Sequence, residues 1–297
     1  MVLYLAETKQ SKVYHVMKRT FLTKLHTNGI YYIVGACLLL LAAPLYQALI
    51  LLPHGYGEAL SAQGQGSFGV YLTWLSNHSG LFLGYRILLI LAFAALLSLP
   101  FTLFRIIIAQ EILGREDEVR EEENQGEDEE RTTAPEVQAT SEVQEMPADA
   151  WRGKGFAVLA AWSGLLSLIF YVLGTLAGTI YLMVISSTFS ASTGLPANFS
   201  TLTSVFNIIP NTLGGGLLAL ASLFFGALIA RSGRKLWPGI WVAFGYMALA
   251  VAALLSGSAV AVASAPESQA AFTTPATLLF ALWVLWFGIM LVRLKPE

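Results

Sequence analysis

The sequence predicts an all-α fold, a polytopic bundle of six transmembrane helices with both termini in the cytoplasm. Apolar residues make up 56% of the 297 positions and charged residues only 12%, whereas about 25% of a soluble domain is charged. Fifteen of the nineteen acidic residues lie between positions 111 and 149, and the 138 residues from 155 to 292 hold only four charges. Because charge is costly in hydrocarbon, this segregation indicates membrane spans and one acidic segment in water.

The first 29 residues form a basic lead-in to the first span. Val13, Met17, Phe21 and Leu25 recur at every fourth position, a spacing that places them on one face of a helix. The lysines and arginines among them favour contact with anionic lipid. The lead-in is expected either to lie on the inner membrane surface or only to orient the first span.

Six segments are long and apolar enough to cross about 30 Å of hydrocarbon, which takes roughly 20 helical residues. Since no water is present there, each segment must satisfy its own backbone hydrogen bonds, and this favours helices. The segments form a two-helix unit, 30–113, and a four-helix unit, 153–297. The predicted spans are 30–52, 81–113, 156–187, 212–230, 238–260 and 275–292.

Lysine and arginine set the expected orientation of these spans. Both residue types precede the first span, lie between the second and third and between the fourth and fifth, and follow the sixth, whereas the loops 53–80, 188–211 and 261–274 contain neither. The positive-inside rule then places both termini in the cytoplasm, and a plasma (inner) membrane is the expected location. Arg86 and Arg105 lie near the ends of the second span, where each is expected to reach a headgroup.

An acidic segment, residues 114–152, separates the two units. It is rich in Glu, Gln, Thr, Pro and Ala and nearly free of aromatic residues, so it cannot bury enough surface to fold alone. A solvated spacer is expected, and a docking site for a basic partner is the alternative. No nucleic-acid partner is expected, because the basic residues are spread over several segments. The candidate docking residues are Glu121, Glu122, Glu123, Glu127, Asp128, Glu129 and Glu130.

The predicted spans lack the ionisable side chains through which chemistry in a bilayer usually shows itself. His15, His26, His54 and His78 all fall outside the predicted spans. A pair of histidines that ligates a haem between facing helices is therefore not expected. The sequence predicts no catalytic residue, no metal ligand and no cofactor.

The third span carries a candidate helix-packing motif. Gly174 and Gly178 form a GxxxG pattern, and small residues let helices approach closely in lipid, where no hydrophobic force joins them. Contact within the bundle is favoured over a dedicated dimer face.

A candidate polar site precedes the fourth predicted span, in the sequence FNIIPNTLGGG at 206–216. One interpretation is a helix N-terminus capped by Asn211. The other is a broken helix of the kind that transporters place at substrate sites, with amides that meet backbone groups left free by the proline. The residues of this site are Asn207, Pro210, Asn211, Gly214, Gly215 and Gly216.

Parts of the sequence resemble an uncharacterised group of bacterial six-helix membrane proteins of unknown function. The stretches are LSNHSGLFLGYRILLILAFAALLSLPFTLFR at 75–105 and GALIARSGRKLWPGIWVAFGYMALA at 226–250, followed by LLFALWVLWFGIMLVRL at 278–294. The resemblance implies a six-helix fold and brings no activity and no site residues with it.

These features predict a non-enzymatic integral membrane protein, an accessory or scaffold subunit that contacts lipid and a membrane-protein or cytoplasmic partner. The first alternative is a permease subunit of an ATP-driven exporter. The basic lead-in and long second span favour that alternative, but no ATPase-coupling motif lies between the second and third spans. The second alternative is a membrane sensor, which the short outer loops disfavour.

Overall fold

The protein is an all-helical bundle, as the sequence predicts. The computed structural model describes residues 23–64, 66–111, 152–189, 194–264 and 269–294, and within them every regular element is a helix. The basic lead-in up to residue 22 and nearly all of the acidic segment lie outside these residues.

Six of the described helices are long and apolar enough to cross a membrane, which confirms the predicted helical fold with six spans. Two shorter helices lie between the first and second spans. In chain order the helices are α1 (Thr23–His54), α2 (Tyr56–Gly64), α3 (Phe68–Asn77), α4 (Ser79–Glu111), α5 (Gly153–Thr188), α6 (Phe199–Arg234), α7 (Gly239–Val262) and α8 (Ala271–Arg293).

The fourth span is longer than predicted, because α6 begins at Phe199 and runs through Pro210 without a gap. Residues Ile209–Gly214 form a π-helical turn. Proline has no N–H and its ring clashes with the carbonyl four residues earlier in a regular α-helix, so the wider turn accommodates it. The interpretation of Asn211 as the cap of a helix N-terminus is therefore wrong, and the helix is widened here rather than broken.

The spans form a closed ring in which each packs against its neighbours in sequence and α8 returns to α1. Two pairs of glycines let the backbones approach closely at these contacts. A Cβ atom placed on Gly288 of α8 would lie 2.9 Å from the carbonyl oxygen of Gly29 in α1. One placed on Gly226 of α6 would lie 2.8 Å from the carbonyl oxygen of Gly245 in α7. Such close contact between backbones is a typical way for helices to associate in lipid.

The centre of the ring is filled by apolar and aromatic side chains. Phe244 stacks on Trp283 and on Phe287, with ring centres 4.9 and 5.4 Å apart. Tyr32 stacks on the same Phe287 at 5.6 Å. One continuous cluster joins these residues to others from α4, α5 and α6. The acidic segment thus divides the sequence into two units, but both units contribute to a single core.

Except for Arg86, the described lysines and arginines of the spans lie at one end of the bundle, called the basic end, which carries Lys24, Arg105, Arg231 and Arg293. The opposite end is called the distal end. Spans α1, α4, α5 and α6 have 32 to 36 residues, whereas α7 and α8 have 24 and 23. At about 1.5 Å per residue, the longer spans exceed roughly 30 Å of hydrocarbon by about 18 Å or more.

The distal ends of the longer spans pack with α2 and α3 into a second hydrophobic cluster, called here the distal cap. Among the described residues, the buried members of the cap include none from α7 or α8, in agreement with the shorter length of these helices. Its buried residues are Leu51, Tyr56, Ala59, Tyr71, Leu72, Trp74, Leu75, Phe82, Leu182 and Phe199.

Candidate functional site in the distal cap

Arg86 of α4 lies half-buried against the distal cap. Its guanidinium carbon is 4.9 Å from the centre of the Phe82 ring, one helical turn earlier, where the ring quadrupole attracts a cation. Its Nε atom is buried and forms no hydrogen bond with any described residue. The sequence predicts that Arg86 reaches a headgroup, and that stays a prediction; the structure adds the contact of the guanidinium with the Phe82 ring.

Two buried tyrosines of the cap interact with Arg86. Burial raises the pKa of Tyr71 and of Tyr56 above the ordinary value of 10.0, and the positive charge of Arg86 opposes this rise at both residues. Both hydroxyls are therefore neutral at physiological pH. The cation rests among aromatic faces and hydroxyl groups, and no described carboxylate forms an ion pair with it.

The chemistry open to this arrangement is recognition of an anion. A guanidinium carries five N–H donors in a planar fork that matches carboxylate and phosphate groups. Arg86 belongs to α4, which hydrogen bonds tie to α1 near the same level: Tyr46 donates to the Leu81 carbonyl at 3.1 Å, and Tyr85 donates to the Gln47 side chain at 3.4 Å. The position of the guanidinium is thus set by two packed spans.

The predicted polar site in α6 has its two amides joined to each other. The Asn211 side chain donates to the Asn207 carbonyl at 3.0 Å and to the Asn207 side-chain oxygen at 2.7 Å. Asn207 is exposed on the bundle surface, whereas Pro210 is buried. The amides and the proline therefore face different sides of the helix and do not converge on one point.

The glycines of that stretch lie along the contact between α6 and α5. Gly214 and Gly215 approach the ring of Tyr171, and Gly216 has open space beside it. The π-helical turn leaves the Gly214 carbonyl to accept a hydrogen bond from buried Ser167 of α5, at 2.7 Å. This bond between helices links the widened turn to α5.

The GxxxG motif faces the same turn from α5. A Cβ atom on Gly174 would lie 3.0 Å from the Pro210 ring, and one on Gly178 would lie 3.4 Å from Phe206. Both glycines therefore lie against α6 of the same chain. The residues predicted for partner docking, from Glu121 to Glu130, lie outside the described part of the chain.

A polar network that the sequence analysis did not single out joins α1 to α4 near the basic end. Asn28 donates to the Thr102 hydroxyl at 3.0 Å. The Tyr32 hydroxyl lies 2.7 Å from that of Thr102 and 2.9 Å from that of Ser98. The sequence does contain a signal for this network, because each helix contributes two polar residues four positions apart, and such residues share one helical face. These bonds satisfy one another within the core, and we assign the network a structural role.

No protein-family model matches the chain, and comparison with curated proteins and with solved structures gives no match either.

The bond from Ser167 to the widened turn of α6 is expected to stabilise the bundle. Replacing Ser167 with alanine should lower the free energy of unfolding by about 1 kcal/mol, the scale of hydrogen bonds between helices in a membrane. Ser163, one turn earlier on α5, is equally buried but bonds to its own helix at the Ala160 carbonyl. The S163A variant is therefore a matched control, with an expected loss below that of S167A. Denaturant titration in detergent micelles measures both, and equal losses would contradict the role given to the Gly214 carbonyl.

Proposed function

We propose that the protein is a non-enzymatic accessory or scaffold subunit of a membrane assembly, with an acidic docking segment on the cytoplasmic side. The observation that carries this proposal is the packed hydrophobic core of the bundle. Phe244 stacks there on both Trp283 and Phe287, and they belong to one buried hydrophobic cluster with members from all six spans. A bundle packed in this way offers its exterior for interaction.

The same observation bears on the exporter alternative. A permease subunit needs a polar route for its substrate, whereas the spans share one continuous hydrophobic core. The amides of Asn207 and Asn211 bond to each other on the outer face of α6. An export route would therefore have to run between chains, and we give this function second place to the accessory role.

Two surfaces are suited to partners. At the distal end, Arg86 offers a cation without a described carboxylate partner, which suits a carboxylate or phosphate group of a neighbouring molecule. At the basic end, the acidic segment between α4 and α5 carries most of the negative charge of the chain, which suits a basic surface.

The experiment that tests the proposal removes residues 116–145 from the chain expressed at its native abundance. Because the deleted residues lie between two spans, membrane insertion and the melting temperature of the purified bundle should stay unchanged. A partner that copurifies with the wild-type chain in mild detergent should be lost. Mass spectrometry of the purified particle identifies what remains.

A matched control keeps the length of the segment and removes its charge, with the seven candidate docking acids replaced by Gln or Asn. Loss of the partner in both variants would mean that docking depends on the negative charge of the segment. Loss in the deletion alone would mean that docking depends on the length of the segment. A wild-type particle that contains only this chain would contradict the accessory role.

A membrane sensor gains one specific observation in its favour. Short outer loops disfavour a sensor, but the loop between the first two spans is folded into α2 and α3. It buries Tyr71, Leu72 and Leu75. A folded cap at the distal end is suited to binding a ligand, with the acidic segment as output. In this case the deletion of 116–145 leaves ligand binding at the cap intact.

A further inference from the structure

Two histidines that are 24 positions apart in sequence meet in the distal cap. His54 ends α1, and His78 joins α3 to α4. Their ring centres lie 5.7 Å apart with the ring planes inclined by 68°. Both residues fall outside the predicted spans, and the sequence pattern indicates no role for them. They come together only because the segment between the first two spans folds into α2 and α3.

The hydrogen bonds of the two rings fix the same tautomer in each. His54 Nδ1 lies 2.6 Å from the Ile50 carbonyl oxygen, and His78 Nδ1 lies 3.1 Å from that of Trp74. A carbonyl oxygen can only accept, so each Nδ1 carries the hydrogen and each Nε2 keeps its lone pair. No described residue forms a hydrogen bond with either Nε2. Histidines that bind metals are typically held in this way, with the second ring nitrogen donating to a backbone carbonyl.

Trp74 holds the two histidines in place. Its indole N–H donates to the His54 carbonyl at 2.6 Å, and its ring stacks on that of His78 with centres 5.1 Å apart. The Tyr56 ring also packs against the indole, with ring centres 5.0 Å apart. The pair therefore rests on a buried aromatic support, while the exposed side of His54 leaves access from solvent.

We propose that His54 and His78 bind one divalent transition-metal ion of the Ni²⁺, Cu²⁺ and Zn²⁺ group through their Nε2 atoms. Two imidazoles at about 2.0–2.1 Å from one ion place their ring centres about 5–6 Å apart, and the observed spacing falls in this range. Imidazole nitrogen suits these ions, with Cu²⁺ bound most tightly. No third His, Cys, Asp or Glu of the described residues completes the site, so water or an external ligand fills the remaining positions.

The metal site goes beyond the accessory role and does not depend on it. Its test uses the full chain, purified in detergent through an affinity tag that contains no histidine. Cu²⁺ is added at about pH 7.5, where imidazole is largely neutral. Bound copper is counted by elemental mass spectrometry after dialysis, and electron paramagnetic resonance reports whether nitrogen coordinates it. We expect one nitrogen-coordinated Cu²⁺ per chain.

The variants H54Q and H78Q should each lose this ion, whereas H26Q, which changes a histidine near the basic end, should keep it. Since His54 is exposed, H54Q should melt at the wild-type temperature without metal, which separates loss of the ligand from loss of the fold. Added Zn²⁺ should raise the melting temperature of wild type and of H26Q only, because an ion that binds the folded state stabilises it. A wild-type chain that retains no copper, or H54Q and H78Q variants that keep the same copper signal, would overturn the proposal.

Discussion

Replacement of Gly288 by valine is expected to lower the free energy of unfolding by at least about 3 kcal/mol, at the upper end of the cost of overpacking a core. A Cβ atom at this position would lie 2.8 Å from a side-chain carbon of Ile33, 2.9 Å from the Gly29 carbonyl oxygen and 3.1 Å from the Ile33 amide nitrogen. Two of these three atoms belong to the α1 backbone, which cannot turn aside as a flexible side chain can. The added methyl groups must push α8 away from α1 and open the ring at the contact that closes it.

Thermal unfolding of the detergent-purified chain measures this loss, and size-exclusion chromatography shows whether the variant stays monodisperse. The control is Gly216→Val in α6, where an added Cβ meets nothing within 4 Å, and its expected change is within about 0.5 kcal/mol. Equal stability of the two variants would mean that the contact between Gly29 and Gly288 does not hold the ring closed.

This contact also shows where sequence analysis stops. Gly174 and Gly178 can be recognised from the sequence, because they share one helix at the GxxxG spacing. Gly29 and Gly288 lie near opposite ends of the chain, and neither belongs to a GxxxG pattern. The two glycines come into contact only when α8 packs against α1, so no pattern of neighbouring residues predicts this contact. Hydropathy predicts which segments span, and it leaves open which glycines meet.

The helices of the connector between the first two spans could not be predicted from the sequence, for a related reason. Charge and hydropathy mark 53–80 as a loop without lysine or arginine, since neither measure detects short helices. The structure places α2 and α3 there, with Tyr56, Tyr71 and Trp74 buried among the ends of four spans. These residues are buried by tertiary contacts, and this fold alone brings His54 to His78. The distal cap was therefore not predictable from the sequence, although the six spans were.

Replacement of Arg86 by glutamate is expected to lower the free energy of unfolding by about 3 kcal/mol, because a half-buried carboxylate would lie there without a hydrogen-bond partner. The Phe82 ring that lies 4.9 Å from the guanidinium carbon attracts a cation through its negative face and repels an anion. The positive charge that opposes the rise in the pKa of Tyr71 and Tyr56 would also be lost. Denaturant titration of the purified chain measures the change, with far-ultraviolet circular dichroism as the signal.

Two further variants separate the charge of Arg86 from the shape of its guanidinium group. R86K keeps the cation and gives up the planar fork, whereas R86Q keeps polar donors and gives up the charge. The expected order of stability is wild type, R86K, R86Q and R86E, with R86Q losing about 1–3 kcal/mol. An R86E variant as stable as R86Q would mean that water surrounds this position and that Phe82 contributes nothing to holding it.

The R86Q variant also tests whether Arg86 binds a partner, as the proposed function suggests. Its expected loss is small compared with the 5–15 kcal/mol that stabilises a typical domain, so the chain should still fold and insert. An anionic group of a partner, if it pairs with Arg86, loses its counter-charge in this variant and becomes a desolvated charge at the interface. Copurification of that partner should then be lost at a temperature at which R86Q is still fully folded, whereas R86K, which keeps the charge, should retain the partner. Retention of the partner by R86Q wherever the variant is folded would assign Arg86 to the fold of the cap alone.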